Sequence, residues 1–319
     1  MNRMNIKIDI IEILRRYGII IVLIFLFVAS ALINPIFLRP QNLINILKQI
    51  SVVSIIACAE TMLIVSGMID LSAGLVCTTS ACFSAGILAS TQNIPFAFAI
   101  GILIGITTGW VNGFLVTRYK LPPFIATLAM ANVCRGVVQI YTNGQAVSGV
   151  ERIRWIGQGD IFGLPIPVLI MLSMVIIVFV IMKFTTLGVN IYAIGGNEKA
   201  AVASGINVNR AKRIVFTLSG ALVGLSGVIL MSRLMAGMPS VGAGYEFDAI
   251  TAVIVGGTSF LGGIGTVGGT LVGAIIVGLI NNILNLLHVS TQYQLIVKGV
   301  LIAGAVIMDI KTKTDKKSL

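Results

Sequence analysis

The sequence predicts an all-α integral membrane protein of about ten transmembrane helices, and three observations carry that prediction. First, 57% of the 319 residues are hydrophobic and only 10% are charged, with a mean hydropathy of +1.03. A soluble domain of this size needs far more charge to cover its surface. Second, the apolar runs are continuous rather than alternating. That pattern suits membrane-spanning helices and excludes a transmembrane β-barrel. Third, the charges sit at the ends of those runs, where they set topology. The net charge of +11 therefore does not point to nucleic acid, because it forms no basic face interleaved with aromatics.

Residues 1–16 read as an interfacial amphipathic helix. Ile6, Ile10, Ile13 and Leu14 lie on one side, with Lys7, Arg15 and Arg16 elsewhere. The spans follow at 17–36 (closed by Asn34-Pro35), 46–66, 71–90, 95–117, 122–141, 164–184, 213–233, 246–262, 265–287 and 290–309. The whole of 1–319 is expected to be one transmembrane domain with a basic tail at 310–319. An N-terminus on the cytoplasmic side puts fifteen Lys and Arg residues on that face and five (Arg39, Lys48, Arg152, Arg154, Arg233) on the other. That bias is the positive-inside pattern, and it places both termini in the cytoplasm. Cys58, Cys77, Cys82 and Cys134 lie within apolar segments without metal or redox spacing, and read as small core residues. His288 is alone, so no catalytic or metal constellation is expected.

Two regions break the helical pattern. Ser66-Gly67-Met68-Ile69-Asp70-Leu71-Ser72-Ala73-Gly74 is one, and Gly256-Gly257-Thr258 through Gly268-Gly269 is the other. Glycine there permits either close helix packing or a broken backbone lining a cavity. A further polar stretch, 185–212, is far longer than a helix connector requires. Within it Asn197 can cap a short helix, Glu198 suits its first turn, and Gly205 fits its end. Asn207 can cap the next helix. A compact helix of small residues exposed at the cytoplasmic face suits a docking knob for a soluble partner. Residues Gly195, Gly196, Asn197, Glu198, Ala201, Ser204, Gly205 and Ile206 form that candidate coupling site.

Polar residues inside spans are costly and often functional. Glu60, Arg135, Asp248 and Lys298 are the charged set. Glu60 and Arg135 are expected to pair between helices, with a hydrated path as the alternative. Asp248 suits the first turn of a helix. Asn132, Arg135 and Gln139 share one helical face, Gln294 and Lys298 another, Asn281 and Asn285 a third. Asp70, Ser72, Asn112, Asn132, Asn281, Asn285 and Gln294 are the candidate path or gate residues. Glu151, Arg152, Arg154 and Trp155 form a patch on the long loop 142–163, suited to contacting a partner or to anchoring at the interface.

The chain resembles the membrane subunits of ABC importers for simple sugars, the ribose permease family. The resemblance rests on Tyr192-Ala193-Ile194-Gly195-Gly196-Asn197-Glu198, Ser204-Gly205-Ile206-Asn207-Val208, Gly244-Tyr245-Glu246-Phe247-Asp248-Ala249-Ile250 and Val255-Gly256-Gly257-Thr258-Ser259. The N-terminal half adds Gly67-Met68-Ile69-Asp70-Leu71-Ser72-Ala73-Gly74, Pro123-Phe124-Ile125-Ala126-Thr127-Leu128 and Thr142-Asn143-Gly144-Gln145. Met68 departs from the family, which usually has glycine there. The resemblance implies a homodimer of permeases in the inner membrane, a cytoplasmic ATPase docked on 197–206, and a periplasmic or lipid-anchored sugar-binding protein. ATP and magnesium would then belong to the ATPase, and this chain has no G-x-x-x-x-G-K-[ST] with which to cradle phosphates. Branched-chain amino acids, a furanose signal or ion-coupled transport remain alternative cargoes and mechanisms.

Overall fold

The computed structural model describes the backbone of residues 2–317 and the side chains of residues 18–307 and of Asp309. Helix α1 (Asn2–Ile33) is one continuous element, where the sequence suggested an interfacial helix followed by a span. The side chains of 1–16 and of the basic tail 310–319 lie outside the described residues. Asn34 then accepts a hydrogen bond from the Ile36 amide at 2.9 Å and starts a short 3-10 turn, Pro35–Leu38.

Helix α2 (Pro40–Val65) is the central post, and every residue from Ile50 to Val65 is buried. A helix that is apolar on all sides belongs inside a bundle, and Glu60 is the one charge in that buried stretch. Against it pack α7 (Ile166–Phe184), α10 (Val208–Leu234) and α12 (Val267–Leu286), and beyond α10 stand α3 (Ala73–Thr91), α4 (Ile94–Arg118) and α5 (Pro123–Thr142). With α2, these are the seven helices long and apolar enough to cross a membrane. The apolar stretches Gly18–Ile33 of α1 and Thr291–Ile307 of α13 (Thr291–Lys317) are shorter.

The tightest helix pair is α4 with α10. Gly101, Gly105, Gly109 and Gly113 form a ridge at four-residue spacing along α4, facing Gly220 and Gly224 of α10. A Cβ on Gly105 would strike the Gly220 carbonyl, so the two backbones touch. Small residues in a ridge are what permits such approach in a membrane.

One expected span is not a helix throughout. The sequence suggested 246–262; α11 covers only Tyr245–Val255. Met235, in the left-handed conformation, closes α10, and residues 236–244 run as non-helical chain beside α3. Gly237 lies against Cys82 and Ala85, Gly242 against Thr78, and Glu246 beside Gly74, so the chain descends antiparallel to α3. The Thr78 hydroxyl donates to the Val241 carbonyl. A run of turns and bends and then a half-helix make this traverse. Such backbone survives at membrane depth because protein, not lipid, surrounds it. Gly256-Gly257 then stops α11, since Gly257 takes a φ of 86° that a side chain would strain.

The bundle has two ends. Loop 142–165 holds a 3-10 turn (Glu151–Ile153), α6 (Arg154–Gln158) and a two-stranded hairpin, β1 (Asp160–Ile161) with β2 (Leu164–Pro165). This end gathers Lys48, which donates to the Gln158 carbonyl, and Arg152, which donates to the Gln92 carbonyl. The opposite end holds α8 (Thr186–Gly196), α9 (Glu198–Ala203) and the loop 256–266. There Lys120 donates to Asn209 at 3.2 Å. All four cysteines are buried and free.

Candidate functional site

The docking candidate is built by local capping. The Asn197 Oδ1 accepts from the Ala200 amide at 3.0 Å and starts α9. Gly205, at φ 83°, ends it, and the Asn207 Oδ1 accepts from the Arg210 amide at 3.0 Å to start α10. Ala201 turns inward onto Ile194, Val208 and Ala211. Glu198, Lys199, Ala200, Val202, Ala203, Ser204 and Gly205 stay exposed, and Ile206 is half-buried. Glu198 accepts from Lys212 at 2.9 Å, so α9 is also clamped to α10 by an ion pair.

Sequence reasoning treated 185–196 as polar loop and missed α8. The signal was present: Thr185 caps the helix by accepting from the Gly188 amide, and Ile191 and Ile194 are its buried stripe. Helix α8 carries the knob onto the bundle. Gly195 sits where any Cβ would meet the Val65 carbonyl and the Gly263 amide. The Gly263 amide donates to the Val65 carbonyl at 2.8 Å, and the Tyr192 hydroxyl donates to the Gly265 carbonyl at 2.7 Å. The knob therefore rests on the end of α2 and on the loop that connects α11 to α12. Gly196, exposed, has open space beside it.

The candidate path residues separate into three groups. Asp70, Ser72 and Asn112 come together in a buried knot. The Asp70 carboxylate accepts from the Ser72 amide at 2.7 Å and from its hydroxyl, and Asn112 donates to the Ser72 Oγ at 3.1 Å. The Leu71 amide donates to the Thr127 hydroxyl of α5, and the Asp70 amide to Glu60. Glu60 and Arg135 do not pair. Glu60 is fully buried in α2, whereas Arg135 is exposed. Cys134 occupies the inward stripe of α5, and the next residue is turned away by about 100°.

The second group joins three helices. Lys298 of α13 lies 2.9 Å from both carboxylate oxygens of Asp248 of α11, and Asn281 of α12 donates to the same carboxylate at 3.2 Å. Asp248 stands in the first turn of α11, as expected, and the ion pair with Lys298 holds it there as well. Gln294 of α13 donates to the Asn285 Oδ1 of α12 at 2.9 Å. Asp309 extends this strut, accepting from the Ser259 hydroxyl and the Phe260 amide at 3.0 Å each. The sequence reading took Asp309 only as the last residue of the expected span 290–309 and did not single it out. The third group, Asn132 with Arg135 and Gln139, lies exposed along α5. Among the described residues no cluster of His, Cys, Asp or Glu could hold a metal ion.

Residues 42–306 match the family described as branched-chain amino acid transport system / permease component. The chain is 42% identical over 302 residues to the ribose import permease protein RbsC of Bacillus subtilis, covering 94% of each chain. It is 42% identical over 297 residues to the ribose import permease protein RbsC of Escherichia coli K12, covering 92% of each. The L-arabinose transport system permease protein AraH of the same E. coli strain is 35% identical over 306 residues, or 95% of this chain and 93% of that one. No solved structure matches the chain.

Proposed function

The chain belongs to the branched-chain amino acid transport system / permease component family, and from that premise we propose that it is the membrane subunit of an ATP-driven importer that carries ribose. The greater identity to ribose permeases than to the arabinose permease supports that choice of cargo. The partners follow from the surfaces. An ATPase on a separate chain takes the α9 knob, and a second copy of the permease completes the path. A sugar-binding protein delivers its cargo at the α6 end, where Asn45, Lys48, Gln49, Gln158 and Arg233 line an open polar pocket. The excess of basic residues at the α9 end supports a cytoplasmic location for it in a bacterial inner membrane.

The observation that carries this reading is the capped α9, seated through Gly195 on α2 and on the loop 256–266. A push on α9 reaches α11 and α12 through backbone contacts, without any catalytic group on this chain. ATP and magnesium are the partner's. Sugars need hydroxyl-binding amides and alcohols rather than a charged pocket, and a permease fed by a binding protein gains from weak binding along its path.

Reconstitution with the ATPase and binding protein in proteoliposomes tests the reading. ATP-driven uptake of ribose, in excess over arabinose and leucine, is expected. Uptake of leucine in place of ribose would transfer the chain to an amino-acid importer; uptake driven by an ion gradient without the ATPase would refute the ATP-driven mechanism. In the same assay, Glu198→Arg or deletion of 197–205 is expected to lower uptake and ATPase co-purification by at least about tenfold, while the permease still accumulates in the membrane.

A further inference from the structure

Helix α5 leaves most of its circumference uncovered. Its inward stripe is Thr127, Ala131, Cys134 and Val138, packed chiefly on α3 and α4. The uncovered remainder has two flanks of different chemistry. One carries Val133, Val137 and Ile140, which suit lipid. The other carries Leu128, Asn132, Arg135 and Gln139, all exposed.

At about 1.5 Å per residue, Asn132 lies about 14 Å from the Pro123 end of α5 and about 15 Å from the Thr142 end. Arg135 lies about 18 Å from the first and about 10 Å from the second. A long guanidinium side chain near a helix end can reach the headgroups, but a mid-span asparagine cannot. The Asn132 side chain bonds only the Leu128 carbonyl of its own helix. An amide left against hydrocarbon is costly, so this flank faces water or protein. Among the described residues, a second copy offers no carboxylate within its spans to meet Arg135: Glu60, Asp70, Glu246 and Asp248 are all buried within their own protomer, Asp309 is engaged at the α9 end, and the exposed Glu151, Asp160 and Glu198 lie on the end loop 142–165 and on α9.

We propose that Arg135 is an electrostatic barrier to cations: with its copy in a second subunit, it passes a neutral polyol along a hydrated path and turns protons and metal cations away. This rests on the reading that two copies share one path. Positive charge lining a narrow pore excludes protons and cations. A neutral sugar meets no such barrier. The path can then open during each transport cycle without discharging the membrane.

The test uses the full importer, permease with ATPase and binding protein, in proteoliposomes holding a pH-sensitive dye and a potassium gradient. Arg135→Gln is expected to raise turnover-dependent proton or potassium leak about tenfold, with sugar uptake within about threefold of wild type and Arg135→Lys as tight as wild type. A Gln variant that imports sugar without added leak overturns the proposal. Should that variant fail to accumulate, Arg135→Cys is modified with methanethiosulfonate reagents, since the native thiols are buried. A cationic reagent should restore tightness and an anionic one should not; equal leak with both, or no modification from water, also overturns it. Wild-type importer that carries no sugar with ATP would instead remove the functional reading beneath the proposal.

Discussion

The α9 knob and the Asp248–Lys298 cluster use polar residues in opposite ways. The caps and the ion pair that shape α9 join residues close in sequence: Asn197 with Ala200, Asn207 with Arg210, Glu198 with Lys212. The side chains face solvent, so each contact is weak and the segment is held by its caps. Asp248 instead finds Asn281 and Lys298, 33 and 50 residues away, at a depth where a lost partner cannot be replaced by water. Local polar contacts shape a surface for another molecule. Distant buried ones fix how helices meet.

That contrast can be broken first at Lys298. Lys298→Ala strands the Asp248 carboxylate, and breaking such a pair costs about 3–5 kcal/mol. The expected outcome is loss of folded permease from detergent extracts, with Lys298→Ala/Asp248→Asn recovering a large part of it. A single variant as stable as wild type would show that the pair does not hold α11 to α13. Next is Gly105→Val. The added side chain meets the α10 backbone at Gly220, and overpacking of this kind costs about 1–3 kcal/mol. Thermal melting in detergent should fall by several degrees; an unchanged midpoint would mean the two helices separate at little cost. The smallest effect belongs to Asn197→Ala, which removes a cap worth about 1 kcal/mol. Melting should hardly move, while hydrogen exchange at Ala200 and Ala201 accelerates. Acceleration spread through the bundle would contradict the local character of the knob.

The same contrast explains what could be read from the amino-acid order. The knob was legible because capping is a rule of near neighbours: Asn197, Glu198, Gly205 and Asn207 lie within eleven positions of one another. The broken traverse was legible only in part. Gly256-Gly257 marked a break in the pattern, but the sequence does not reveal that 236–244 runs as turns beside α3, since its partners are distant: Val241 accepts from Thr78 and Gly237 pairs with Val147. Asp248, Asn281 and Lys298 each stood out as costly inside a span, yet nothing local says which finds which. Arg135 shows the converse. Pairing it with Glu60 cancels two charges on paper, but the helical stripe set by Thr127, Ala131, Cys134 and Val138 leaves it pointing away. The glycine ridge of α4 went unread although Gly101, Gly105, Gly109 and Gly113 stand four apart, and its partner on α10 becomes evident only with both helices in place.

That ridge also limits how the protein can flex. Where one main chain lies directly on another, there are no side chains to re-rotamerise and take up slack. Helices α4 and α10 must therefore travel as a single stiff plate, hinged where α10 leaves Asn207 beside the knob. Any widening of the interior falls to less firmly held members of the bundle, and α5, fastened along one stripe, is the panel best placed to swing.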